Sequence, residues 1–388
     1  MITNPEPLLV ALLAAALISV VLSVLLFVIK YAHRRRLRAA GVRRALYIGA
    51  LGEMAARNSV PTAEIQGWRD DPIFLEVLFD FLAIVTGDER ETLEELIDQL
   101  ELRDRLSREL RGTRRRNTKL RTLSYLAEIA DESLQPIFVE CLADPVTEEK
   151  LHAARGLAQI GDPETVSLIL DQMESEETWV AARLADEIIE FGAVAAPALV
   201  KYLLLSEHDP NRDPELLRQV IRVIGLIGDL RAEPALISML ESPEPLVRVG
   251  AASALSRAGT PESVPGLISA LADPDWRVRA RAADALGTFS DGRALEPLGR
   301  ALRDEAWWVR QDAAKALATH LGGERRLIEA LSDDDPFARD AALSQLGIRG
   351  TVSEAQQRFE VGTATGQDRM ILAASEAARQ TDDAGAVA

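Results

Sequence analysis

Residues 273–287 read Asp-Pro-Asp-Trp-Arg-Val-Arg-Ala-Arg-Ala-Ala-Asp-Ala-Leu-Gly, and a turn at Asp291-Gly292 leads to a second apolar stretch ending in Ala301-Leu302. The pattern recurs 31 residues earlier, where 242–255 reads Ser-Pro-Glu-Pro-Leu-Val-Arg-Val-Gly-Ala-Ala-Ser-Ala-Leu. It recurs again 31 residues later, where 304–317 reads Asp-Glu-Ala-Trp-Trp-Val-Arg-Gln-Asp-Ala-Ala-Lys-Ala-Leu. The frame reaches back to units starting at Asn211, Ser175, Asp144 and Thr113 and forward to Asp333, with unit lengths of 31, 31, 36, 31, 31, 31 and 29. The fourteenth residue tests the frame: Leu126, Leu157, Ile188, Ile224, Leu255, Leu286, Leu317 and Leu346 are aliphatic in all eight units. The thirtieth gives Leu142, Met173, Leu240, Leu271 and Leu302 in the units of unchanged length. A fixed period of this size means a stack of supersecondary units.

Each unit reads as a helical hairpin. Pro or an acidic residue opens the first helix, where free amides and the helix dipole favour it. Small residues such as Ala251-Ala252 and Ala282-Ala283 admit a close neighbour. A turn such as Gly161-Asp162-Pro163 or Gly228-Asp229 breaks the chain, and a second helix carrying Leu267 and Leu271, or Leu298 and Leu302, follows. One hairpin cannot bury its own apolar face, so the units must stack. The fold expected is an all-α, right-handed α-solenoid with second helices on the concave side.

The pattern Asp-Pro-x-x-x-Val-Arg-x-x-Ala-Ala-x-Ala-Leu-Gly followed by Gly-Asp resembles the HEAT-like repeat family that includes the phycobilisome-lyase type. The resemblance covers about 113–350 and implies the fold. It implies little about function, because the family spans lyases, hydroxylases and adaptors.

Outside the regular units, 71–112 reads as a divergent cap: Asp71-Pro72 opens a helix, Ile84 and Leu100 fall at positions fourteen and thirty, and a charged helix over 102–111 joins the stack. Residues 30–70 read as a basic juxtamembrane helix and linker, the helix continuing over 42–57 and the linker over 58–68. Over 351–379, Gln367 to Arg379 forms a closing helix, and 380–388 reads as a disordered tail. The five extra residues of the long unit, around Ser206 to Pro214, read as a polar edge loop.

At the N-terminus, Leu8 to Ile29 is a 22-residue run without a charge, long enough as a helix to cross a bilayer core. A cleaved signal peptide would want a basic residue before the run, yet Glu6 precedes it and Lys30, Arg34, Arg35, Arg36, Arg38, Arg43 and Arg44 follow. That asymmetry predicts a single-pass anchor in a bacterial inner (plasma) membrane, N-terminus outside and solenoid cytoplasmic, with the basic cluster setting topology or meeting lipid headgroups. Ala11, Ala15, Ser19 and Ser23 recur every four residues, a face for packing against another membrane helix or a coincidence of composition.

The formal charge is −17; since residues 1–44 carry seven basic side chains and one acidic, the remainder carries 37 basic and 60 acidic, or −23. Such a surface repels phosphate backbones, which excludes nucleic acid as a partner. One cysteine, Cys141, excludes a disulfide scaffold and a Cys-ligated zinc site, and its position marks it as core. The hydroxylases of the resembled family hold two irons with His-Glu dipeptides. The four histidines here precede Arg34, Ala153, Asp209 and Leu321, so that activity is excluded. No phosphate loop, nucleophile elbow or metal-ligand spacing is present. Gly225-Leu-Ile-Gly228 is a repeat turn and lacks the strand of a dinucleotide site. Second-helix charges, Glu262, Arg293, Glu296, Arg300, Arg303 and Glu329, form no single-sign stripe. No catalytic residue, cofactor, metal or small-molecule substrate is expected.

Two features remain for binding. Arg248, Arg279, Arg310 and Arg339 share a slot, as an inter-repeat ladder onto acids such as Asp273 and Asp304 or as a site. Trp276, Trp307, Trp308 and Phe337 cluster where first helices begin, as packing between repeats or as anchors for a protein partner. The function expected is a membrane-anchored scaffold or adaptor that binds proteins, a polytopic membrane protein among the candidates. The alternatives are an accessory subunit of a membrane enzyme such as a glycosyltransferase and, more remotely, a bilin lyase-like protein.

Overall fold

The computed structural model describes residues 39–57, 65–206 and 212–386, with side chains to 378. The expected membrane helix over 8–29 lies outside these residues. Every regular element among them is helical. Asp caps recur where helices start: the carboxylates of Asp71, Asp162, Asp213, Asp275 and Asp335 accept the amides of Ile73, Glu164, Glu215, Arg277 and Phe337 at 2.8–3.1 Å. Each satisfies an amide that the helix itself leaves free.

The chain divides into two compact parts, up to Ala130 and from Asp131 onward. In the second part, hairpins follow the frame. The first helices Pro214–Ile227, Pro245–Ala258, Trp276–Leu286, Trp307–Thr319 and Pro336–Ile348 each pack against the next. The second helices Glu233–Met239, Val264–Ala270 and Leu295–Ala301 lie closest to the first helix of the following unit. That is the expected consequence of hairpins too small to be self-contained. The fourteenth residues are all buried, none exposed by more than 2%. Leu142, Met173, Leu240 and Leu302 at position thirty are buried as well, while Leu271 is half-buried.

Glycine at position fifteen sets how closely first helices approach. A Cβ on Gly225 would lie 3.0 Å from Ala254, and one on Gly287 would lie 3.1 Å from Ala316. Both contacts meet the small residue at position thirteen of the next unit. A second lock joins residues 27 apart: Gln135 to Asp162, Glu233 to Thr260 and Glu324 to Thr351. Glu233 also accepts the Ser263 hydroxyl at 2.5 Å. Burial disfavours its charge, yet the Ser263 and Thr260 donors outweigh that and hold its pKa below the usual range.

Several expectations are corrected in detail. The cap helix Pro72–Leu82 stops two residues short of Ile84, which is 75% exposed; Leu82 fills the core instead. Helix Arg116–Glu128, the first of the unit at Thr113, falls within the N-terminal part. Tyr125 stacks on Phe79 at 4.3 Å, and Arg90 and Arg103 donate to the terminal carbonyls of Glu128 and Ile129. In the long unit the second helix, Ala196–Ser206, runs 11 residues against seven in Glu233–Met239, and most of the expected edge loop, 207–211, lies outside the described residues. The closing helix runs Gly366–Ala386, into the stretch expected to be disordered.

Residues 39–57 form one helix whose Tyr47, Leu51 and Met54 are buried. Tyr47, Trp68 and Phe74 make an aromatic triangle with centroids 5.0–5.8 Å apart. This helix is therefore docked on the cap. Among the described residues no single helix is long and apolar enough to cross a membrane. The bent pair Thr178–Ile189 and Gly192–Ser206 has the length and composition, but it is a repeat hairpin.

Candidate functional site

The shared arginine slot is built from the turn upward. Arg248 forks onto Asp273 at 2.7 and 2.8 Å, and its remaining nitrogen donates to the Ser242 and Pro243 carbonyls. Arg279 repeats this on Asp304 at 2.7 and 2.9 Å, adding Glu305 at 3.3 Å. The same aspartates accept the amides of Asp275 and Ala306, so each closes a turn while receiving a guanidinium from the previous unit. Burial opposes ionisation of Asp273, but Arg248 and the Asp275 amide hold its pKa below the usual range. Fork-to-fork pairs fix register as well as adding energy.

The rungs then stop. Arg310 and Arg339 keep only the fold-back to carbonyls of their own turns, at 2.7–3.3 Å. Asp333, the acid that would receive Arg310, is taken by Arg303 at 2.7 Å. Arg310 lies over the Phe337 ring instead, 4.8 Å from its centroid. An earlier rung escapes a search for arginine: Lys150, in the same slot of its unit, pairs with Glu176, both side chains largely buried. Counting the slot by position rather than residue type would have found it.

The aromatic residues come together differently. Trp276, Trp307, Trp308 and Phe337 are 42%, 52%, 57% and 59% exposed on three consecutive first helices. Trp307 and Trp308 meet edge to face, 4.6 Å between centroids. Leu246, Trp308 and Phe337 share the fifth position of their units, and Trp276 and Trp307 share the fourth. Trp179 also occupies a fifth position, is 54% exposed, and donates to Glu177 at 2.8 Å. That position was the overlooked signal for it. Apolar side chains of this size left uncovered are the unusual observation, since core aromatics elsewhere, such as Phe74 and Phe138, are fully buried.

Of the basic cluster after the apolar run, Arg43 bonds Asp71 at 2.6 Å, and Arg44 bonds Glu76 and Asp80. Those two are engaged by the cap's carboxylates. Lys30, Arg34, Arg35, Arg36 and Arg38, with Ala11, Ala15, Ser19 and Ser23, lie outside the described residues. Cys141 is buried on its second helix, Gln135–Leu142. Among the described residues no cluster of His, Cys, Asp or Glu is arranged to hold a metal.

Residues 203–274 and 264–327 match the family model for HEAT repeats. That stretch carries HEAT repeats. This is the likeness that the Val-Arg and Ala-Ala positions implied, and HEAT-repeat folds generally mediate contacts between proteins. No curated protein matches the sequence. Solved structures to which the chain is similar include an engineered protein at 20% identity, covering 77% of this chain and 94% of that one, TM-score 0.37. The CpcE–CpcF complex of phycocyanin lyase from Nostoc is 20% identical over 63% of this chain and 94% of that one, TM-score 0.30. Human deoxyhypusine hydroxylase is 18% identical over 65% of this chain and 96% of that one, TM-score 0.28. Likeness at this level carries nothing about what this chain binds or does.

Proposed function

We propose that this HEAT-repeat protein is a non-catalytic scaffold, held at a membrane by residues 8–29 with the repeats on the cytoplasmic side, that captures a protein partner through its aromatic ridge. The exposure of Trp276, Trp307, Trp308 and Phe337 on adjacent units carries the reading. Large, rigid aromatics offer contact area with little rotamer entropy to lose, and they anchor interfaces for that reason. The neighbouring arginines do not compete for the role, because Arg248 and Arg279 are tied into the stack. The anchor reading rests on the uncharged run and its basic flank.

The test is in-cell photocrosslinking with benzoylphenylalanine placed at position 337, and at 164 as an exposed control distant in sequence. A discrete protein adduct from 337 and none from 164 is expected. Equal adduct patterns from both positions, or none from 337, would remove the ridge as a docking surface.

A further inference from the structure

A second surface lies on the first helices of three earlier units. Between Pro214–Ile227, Pro245–Ala258 and Trp276–Leu286 runs a groove of about 370 Å³. Small residues make its floor: Gly225 is packed on Ala254, and a Cβ on Gly250 would come within 3.3 Å of Ile221. Leu226 and Leu246, 45% and 46% exposed, line it with apolar surface. Arg218, Arg222, Arg257 and Arg281 surround them, and no acidic residue lines the groove. In a chain of net charge −17, four arginines around an apolar floor are a local inversion of the protein's field.

Two of the four are engaged: Arg218 with Glu215 at 2.9 Å and Arg222 with Asp186 at 2.7 Å. The other two are available. Among the described residues Arg257 has no carboxylate within ion-pair distance, and Arg281 has only Asp284 at 4.0 Å. A compact anion would satisfy the guanidinium groups but leave the leucines wet. A segment with both carboxylates and an aliphatic side chain satisfies both.

We propose that this groove seats a short acidic peptide segment of a partner protein, with an aliphatic side chain over Leu226 and Leu246 and carboxylates on Arg257 and Arg281. The proposal rests on the scaffold reading but uses a surface other than the tryptophan ridge, so the two fail separately.

A random-peptide display selection on the full chain in mild detergent tests it, run in parallel on R257E/R281E and on W307A/W308A. The expected result is a consensus of Asp or Glu flanking Leu or Ile. Binding should weaken roughly tenfold or more in R257E/R281E and with added salt, and stay unchanged in W307A/W308A. Circular dichroism melts confirm that R257E/R281E is folded. A selection without an acidic–aliphatic consensus overturns the proposal, as do acidic peptides that bind R257E/R281E equally well. Phosphatidylglycerol vesicles that lose binding in R257E/R281E while peptides keep theirs would assign the arginines to lipid and overturn it too.

Discussion

The N-terminal part, residues 39–57 and 65–130, and the repeats between 212 and 333 are both stacked helices, but different contacts hold them. The first relies on single, bulky solutions: the Tyr47–Trp68–Phe74 triangle, the Phe79–Tyr125 stack, and Arg90 and Arg103 capping one helix end. The second iterates small ones: Gly225 on Ala254 and Gly287 on Ala316, then Arg248 on Asp273 and Arg279 on Asp304. A one-off aromatic core concentrates stability in few residues, whereas an iterated stack spreads it over nearest-neighbour interfaces. Damage should therefore be severe and confined in the first and graded in the second.

The largest effect is expected from Phe74→Ala. Its ring is fully buried in the triangle, and truncation should destabilise the N-terminal part by about 3–5 kcal/mol. Hydrogen exchange should show the loss confined to residues up to 130, with the repeats still protected; uniform loss would mean the two parts are one cooperative unit. Gly225→Val ranks next. It forces apart helices whose backbones nearly touch and should destabilise by about 1–3 kcal/mol, read as a lowered urea midpoint. The same change at Gly112, which has open space around it, should show no such overpacking penalty.

Arg279→Ala removes a guanidinium from a largely but not fully buried pair and should destabilise by about 1–2 kcal/mol, more than Arg339→Ala, which removes only a fold-back to carbonyls. Acid sharpens the comparison. Asp273 is held below the usual range and Asp275 at about 2, the latter chiefly by Arg277. A carboxylate with a lowered folded pKa stabilises fully above its unfolded value and loses that contribution as pH falls through the folded one. The melting temperature should be flat above about pH 5 and fall between about pH 4 and 2. Burial raises the pKa of Glu187 and of Asp312, the latter aided by Asp284, and these work in the opposite direction. Their smaller set leaves the net slope as stated. A melting temperature that rises on acidification would contradict it.

The regular units were legible because their geometry demands the same residue types at the same spacing. The aliphatic at position fourteen is deep in the core, and the glycine that follows it at 225 and 287 sits where helices approach. The cap was harder to read, since its frame placed Ile84 inside while the helix ends at Leu82. Nothing periodic announces a triangle assembled from Tyr47, Trp68 and Phe74. At the candidate site, sequence alone brought Trp276, Trp307, Trp308 and Phe337 to one region but left packing and exposure undecided. It missed Lys150 by looking for arginine and Trp179 by looking for neighbours. The arginine groove escaped because Arg218, Arg257 and Arg281 sit at different positions of their units and meet only when first helices are laid side by side.

The smallest expected effect on stability comes from W307A/W308A, and it bears most directly on the central claim. The full-length protein and this variant would be compared in mild-detergent capture of the partner crosslinked at position 337, with melting temperatures measured on both. Capture lost and the melting temperature within about 2 °C of the parent is the predicted result, as for surface substitutions generally. Capture retained, or a melting temperature lowered by much more than that, would return both tryptophans to repeat packing and contradict a scaffold that works through its ridge.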